Sequence, residues 1–164
     1  MGVTLRPVLH TDIPMLEVWD SDSDVMAAIA ADVRRDWHAE LERDKRFTEL
    51  LIGEIDGHPF AFVELCDAAN EESHYWGDDV EQGAWALDIW IGQPQFRNRG
   101  LGTTLMQVAL ARCFDRHDAK VVFIDPLVSN VAAHRFYERL GFQAVGVRWF
   151  DDDECLVYRL PRPN

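Results

Sequence analysis

Apolar positions change period several times along the chain, and each change marks an element. Residues 3–8, Val-Thr-Leu-Arg-Pro-Val, read as a first strand. Thr11-Asp12-Ile13-Pro14 offers capping residues and an early proline, opening a helix through about Trp19. Asp20-Ser21-Asp22-Ser23-Asp24 is a polar break, and residues 30–41 form a charge-rich, less regular helical stretch. Two apolar segments then follow, 47–54 and 59–66, joined through Asp56-Gly57, a hairpin signal. Residues 67–83 are polar except for Tyr75-Trp76 and predict a loop longer than ordinary connections, a kind that often carries function. Residues 84–92 predict a buried strand holding one charge, Asp88.

From Gly102 to about His117, Met106, Ala109, Leu110, Cys113 and Phe114 fall on one helical face. Residues 121–124 are a short strand ending at Asp125-Pro126, and residues 130–140 a helix stopped by Gly141 as its C-cap. Two closing strands, 143–150 and 154–160, flank an Asp151-Asp152-Asp153 turn. The pattern predicts an α/β fold, one mixed sheet with helices on its faces, as a single domain over residues 1–164.

Composition narrows the function. The 164 residues, 48% hydrophobic, suffice for a packed core. A formal net charge of −13 argues against nucleic acid and suits either a cationic partner or simple solubility. No apolar run reaches membrane-spanning length, the first residues lack a signal-peptide pattern, and Cys66, Cys113 and Cys155 read as reduced thiols, so a cytoplasmic location is expected. The six histidines are scattered without ligand spacing, and no metal is expected.

The strongest chemical signal is Arg97-Asn98-Arg99-Gly100-Leu101-Gly102-Thr103, placed between a strand and a helix. The first N–H groups of a helix lack internal partners and carry partial positive charge. Gly100 and Gly102 let a phosphate approach the backbone, Arg97 and Arg99 add cations, and Thr103 adds a hydroxyl. Neither a Gly-Lys-Ser/Thr ending nor a Gly-x-Gly-x-x-Gly pattern is present, so this is neither a P-loop nor a dinucleotide fingerprint.

Arg97-x-x-Gly100-x-Gly102, preceded by Pro94-Gln95-Phe96, resembles the acetyl-CoA signature of the GCN5-related N-acetyltransferase (GNAT) superfamily. Asn130-Val131-Ala132-Ala133-His134-Arg135-Phe136-Tyr137-Glu138-Arg139-Leu140-Gly141-Phe142 is similar to that superfamily's second conserved helix. The resemblance implies a central mixed, mostly antiparallel sheet whose strand before the cradle is bulged and splays from its parallel neighbour, flanked by helices on both faces. It also implies acetyl-CoA in the splay, with Ile89, Trp90 and Ile91 pairing to the pantetheine, the N–H groups from Arg99 to Thr103 holding the pyrophosphate, and Asn130 fixing the arm. Tyr137 would sit near the sulfur as the acid for the leaving thiolate, or serve as a packing residue.

A neutral amine must form before it attacks, and Asp88 is the candidate base or ammonium anchor. A structural ion pair with an arginine of the chain is the competing role. The sequence is most similar to aminoglycoside 6′-N-acetyltransferases, on Gly83-Ala84-Trp85-Ala86-Leu87-Asp88, on Ile124-Asp125-Pro126 with Ser129-Asn130, and on Phe136-Tyr137-Glu138-Arg139. That resemblance implies carboxylates at Asp88, Asp125 and Asp152 around a small cationic substrate and an aromatic wall at Tyr75-Trp76. Glu64 is a further candidate carboxylate. Asp125 also reads as a turn former, Asp152 as part of a solvated tip, and Tyr75-Trp76 as a loop anchor. Siderophore precursors, polyamines and protein N-termini are alternative acceptors, and a non-catalytic acyl-CoA sensor is an alternative class. The chain is expected to be a monomer or homodimer.

Overall fold

The computed structural model describes residues 2–29 and 35–164. Among them, seven strands form one sheet in the order β1-β2-β3-β4-β5-β7-β6. They are β1 (Val3–Pro7), β2 (Thr48–Ile55), β3 (His58–Asp67), β4 (Ala84–Ile91), β5 (Val121–Ile124), β6 (Gln143–Phe150) and β7 (Asp153–Pro161). Every pairing is antiparallel except β4 with β5. The helices are α1 (Ile13–Asp20), α2 (Ser23–Ile29), α3 (Trp37–Glu42), α4 (Leu101–Ala111), which widens into π turns over Arg112–Arg116, and α5 (Val131–Arg139).

The strand alternation assigns the two faces of the sheet. On one face, Trp85 and Leu87 of β4 pack with Leu105, Met106 and Ala109 of α4 and with Cys113 and Phe114 of the π turns; all but Leu105 of these helical residues belong to the stripe that the helical spacing predicts. On the other, Trp90 joins Phe62, Ile52 and Leu50 beneath Ile13, Leu16, Trp19 and Trp37 of the first three helices. Gly92 is required at the end of β4, because a Cβ there would lie 2.0 Å from the Trp19 ring. The hairpin between β2 and β3 turns at Asp56 and Gly57, both with positive φ (50° and 79°), as the Asp-Gly signal predicts.

Three expectations change. The polar break at residues 20–24 ends early, because Asp22 Oδ1 accepts from the N–H groups of Asp24 and Val25 and starts α2 at Ser23. Of the helical stretch predicted over residues 30–41, residues 30–34 lie outside those described, and α3 covers Trp37–Glu42. Strand β4 keeps an unbroken register with β3, so the expected bulge is absent there. The splay is present without it. Pairing of β4 with β5 stops at Ala86 and Phe123, which leaves the β5-facing edge of β4 open from Leu87 onward.

Candidate active site

The open edge of β4 is one wall of a cleft of about 390 Å3. Asp88, Ile89 and Trp90 line it from β4, Glu64 from β3, Asp125 from the end of β5, and Asn130 and Tyr137 from α5. Tyr75 and Trp76 of the long loop, Asp153 and Cys155 of β7, and Asp20 and Arg35 also line it.

At one end of the cleft wall, β4 runs into the cradle. Gly100 precedes α4 in the left-handed region at φ 76°, where a Cβ-bearing residue is strained, and no side chain caps the helix. Its first N–H groups are therefore free to hold an anion beside exposed Arg99 and Thr103. A Cβ at Gly100 would meet nothing within 4 Å, so the cradle is open rather than packed against a neighbour. These residues fit a pyrophosphate. Arg97 is differently employed: its guanidinium donates to the carbonyls of Ile91 and Gly92 and to Asp22 and Asp24, at 3.0–3.3 Å. It ties α2 to the end of β4 instead of standing free beside the anion site. Asn130 caps α5 by accepting from Ala133 N at 3.2 Å.

Asp88 and Glu64 are cross-strand partners. Solvent still reaches Asp88 through the mouth of the cleft, but protein surrounds it elsewhere. Burial first, and then the Glu64 charge, push its carboxyl up to about 6, against the opposing pull of the Arg35 guanidinium. A carboxyl poised there can accept a proton near neutral pH. Asp125 is pushed up to about 7, by burial and then by Asp88. Burial, with Asp88 and Asp125, raises the Tyr137 phenol and keeps it protonated.

The long loop owes its shape to Glu71. This buried carboxylate accepts from Ser73 N, Ser73 Oγ and Tyr75 N at 2.5–2.7 Å. Tyr75, 44% exposed, stacks flat on Phe150 at 4.4 Å and donates to Asp125 Oδ2. Trp76 is buried against Phe123 and Phe150, so it anchors the loop as well as lining the cleft.

The cleft thus gathers Glu64, Tyr75, Trp76, Asp88, Ile89, Trp90, Asp125, Asn130 and Tyr137. Asp152 is exposed at the hairpin tip and outside the lining, where its neighbour Asp153 stands instead. Side chains of successive residues leave a strand on opposite faces, so a one-residue shift exchanges them. Arg35 is the residue that sequence reasoning missed. Its Nη1 donates to Glu64 Oε2 at 2.5 Å, so the candidate carboxylate Glu64 is already paired with a cation. Burial would lower the Arg35 pKa, but Glu64 and Asp88 raise it on balance. Among the described residues no group of three His, Cys, Asp or Glu could hold a metal ion, and no helix is long and apolar enough to cross a membrane.

A model of the acetyltransferase (GNAT) domain family matches residues 8–150. Aminoglycoside N(6′)-acetyltransferase type 1 of Klebsiella pneumoniae is 24% identical over 153 residues, 88% of this chain and 76% of the relative. Spermine/spermidine N(1)-acetyltransferase of Bacillus subtilis (strain 168) is 24% identical over 85 residues, 52% of this chain and 56% of the relative. Among solved structures, AAC(6′)-Ib in complex with coenzyme A and kanamycin superimposes with a TM-score of 0.86 at 22% identity, covering 98% of this chain and 95% of that one. What is shared at this identity is the fold.

Proposed function

The chain belongs to the acetyltransferase (GNAT) domain family, and from that premise we propose that it transfers acetyl from acetyl-CoA to a primary amine of a small cationic molecule, the 6′-amine of an aminoglycoside or a similar polyamine. The observation that carries the reading is Asp88, which stands on the open edge of β4 in a cleft lined by further carboxylates and Tyr75. Carboxylates attract ammonium groups, and an aromatic face suits a sugar ring or a cation. A relative in sequence and a neighbour in fold, both named for aminoglycoside acetylation, support the same acceptor class.

Acetyl-CoA supplies an activated thioester when bound. Asp88 anchors the incoming ammonium and takes its proton, directly or through water. The unpaired backbone of β4 beyond Ala86 aligns the pantetheine and polarises the carbonyl under attack. Tyr137, held neutral, gives a proton to the departing sulfur. The helix start at Gly100 to Thr103 holds the pyrophosphate end.

A thiol-release assay with acetyl-CoA and a panel of aminoglycosides, polyamines, lysine derivatives and peptides tests the proposal. Release with the polycations, and weaker release with peptides, is the expected result. Saturable acetyl-CoA binding without release for any amine would sink it in favour of a non-catalytic acyl-CoA sensor.

A further inference from the structure

Arg35 is the one basic side chain among the described residues lining an otherwise acidic cleft. Its guanidinium lies 5.4–5.7 Å from the ring centroids of Trp37, Phe62 and Trp90 while it pairs with Glu64. Three aromatic rings and a carboxylate are what a cation-binding subsite needs. The box is built without help from Arg35. Phe62 and Trp90 are cross-strand partners with rings 4.5 Å apart, and Trp37 packs edge-on against Phe62 while its Nε1 donates to Asp20 at 2.6 Å.

We propose that Trp37, Phe62, Trp90 and Glu64 form a second cation subsite, filled by Arg35 in the free protein, which a distal ammonium group of the acceptor displaces. Two observations favour displacement over a fixed structural pair. Arg35 meets Glu64 through one nitrogen rather than a bidentate fork, and its side chain keeps 27% of its surface exposed. The Phe62–Trp90 pair lies two residues along the strands from the Glu64–Asp88 pair. At about 3.3 Å per residue, the two residue pairs are about 7 Å apart, which sets the scale of the spacing between the two proposed cation positions. The preferred acceptor is therefore a diamine-bearing molecule whose second cationic group stands about 7 Å from the reacting one. The proposal rests on the reading of the cleft as an amine site.

The test compares 1,4-diaminobutane with butylamine, which share a stem and differ by one charge, in tryptophan fluorescence titrations that need no turnover. Arg35→Met keeps the stem and removes the competitor, so the diamine-over-monoamine affinity ratio is expected to rise about tenfold. Adding Glu64→Gln should erase that gain. A ratio that is unchanged or falls in Arg35→Met overturns the proposal. In the unmodified protein, the Arg35 Nε–H resonance should shift with diaminobutane and stay put with butylamine; no shift with either also overturns it. Failure of both amines to bind would overturn the amine-site reading together with this one, whereas binding of both at an unaltered ratio would overturn this one alone.

Discussion

Tyr75 and Asp125 meet across 50 residues of chain, the phenolic Oη donating to Asp125 Oδ2 at 2.5 Å while the tyrosine ring lies on Phe150. The contact fixes the long loop over the cleft and opposes the burial that pushes Asp125 up to about 7. Tyr75→Phe keeps the ring and removes the donor, so the Asp125 carboxyl rises further and is less ionised at neutral pH. KM for a cationic acceptor should then increase about fivefold at pH 7, the effect of losing about 1 kcal/mol, and recover as the pH is raised to about 9. A KM ratio to the native protein that does not change with pH would contradict this linkage.

The proposed role of Asp88 ties activity to stability with opposite signs. If Asp88 is the base, as proposed, then with its folded carboxyl near 6 kcat/KM should rise with pH along a limb centred there. The raised value also means that the folded state loses stability as pH climbs from the unfolded value near 3.8 through about 6. Asp88→Asn should therefore lower turnover by about 100-fold or more. It should also stabilise the protein at pH 7 by about 1 kcal/mol, a figure reduced for solvent access through the cleft. Thermal melts and steady-state rates on the same variant check both signs; a lower Tm would show that Asp88 is held by a favourable pairing instead.

Behind the cleft, Glu49 of β2 clamps the end of α4. It accepts from Arg112 Nε and Nη2 at 2.8 and 2.7 Å and pairs with His117 Nε2 at 2.8 Å, and the His117 ring stacks on Trp85. Burial opposes its ionisation, but Arg112 and His117 overcome this and lower its carboxyl to about 2. A depressed carboxyl contributes stability above its unfolded value of 4.5, and that contribution is lost as pH falls toward 2. Glu49→Gln should cost about 1–2 kcal/mol at pH 7, and its difference from the native protein should shrink in melts taken between pH 4.5 and 2. A difference that persists at pH 2 would place the effect outside this ion cluster.

What could be read from the sequence was what is local in it. The anion cradle and α5 are contiguous stretches whose spacing states their geometry, and the hairpin at Asp56-Gly57 needs two residues. The Arg35–Glu64 pair is of another kind. Its members are 29 residues apart and meet because α3 lays Trp37 against Phe62, a packing choice without a local signature. Arg97 reads as a phosphate ligand until Asp22 and Asp24 are seen beside it, 75 and 73 residues away in sequence. Asp152 and Asp153 differ by one position, and strand periodicity cannot be counted across a turn whose residues break it.

Tyr137 offers the sharpest division between binding and chemistry. It sits on α5 about two turns beyond the Asn130 cap, lines the cleft, and packs against Phe136 and Phe142. A packing role and an acid role make different demands on the same ring. Phenylalanine preserves the aromatic contacts and opens no large cavity, so Tyr137→Phe should leave the melting temperature within a few degrees and acetyl-CoA affinity within about threefold. If the phenol protonates the leaving sulfur, kcat should nonetheless fall about 100-fold, since a positioned general acid contributes roughly two to four orders of magnitude. The loss should be smaller for an acyl donor whose leaving thiol is more acidic, because its departure needs less protonation. Equal losses with both donors, or an unchanged kcat, would assign Tyr137 to packing.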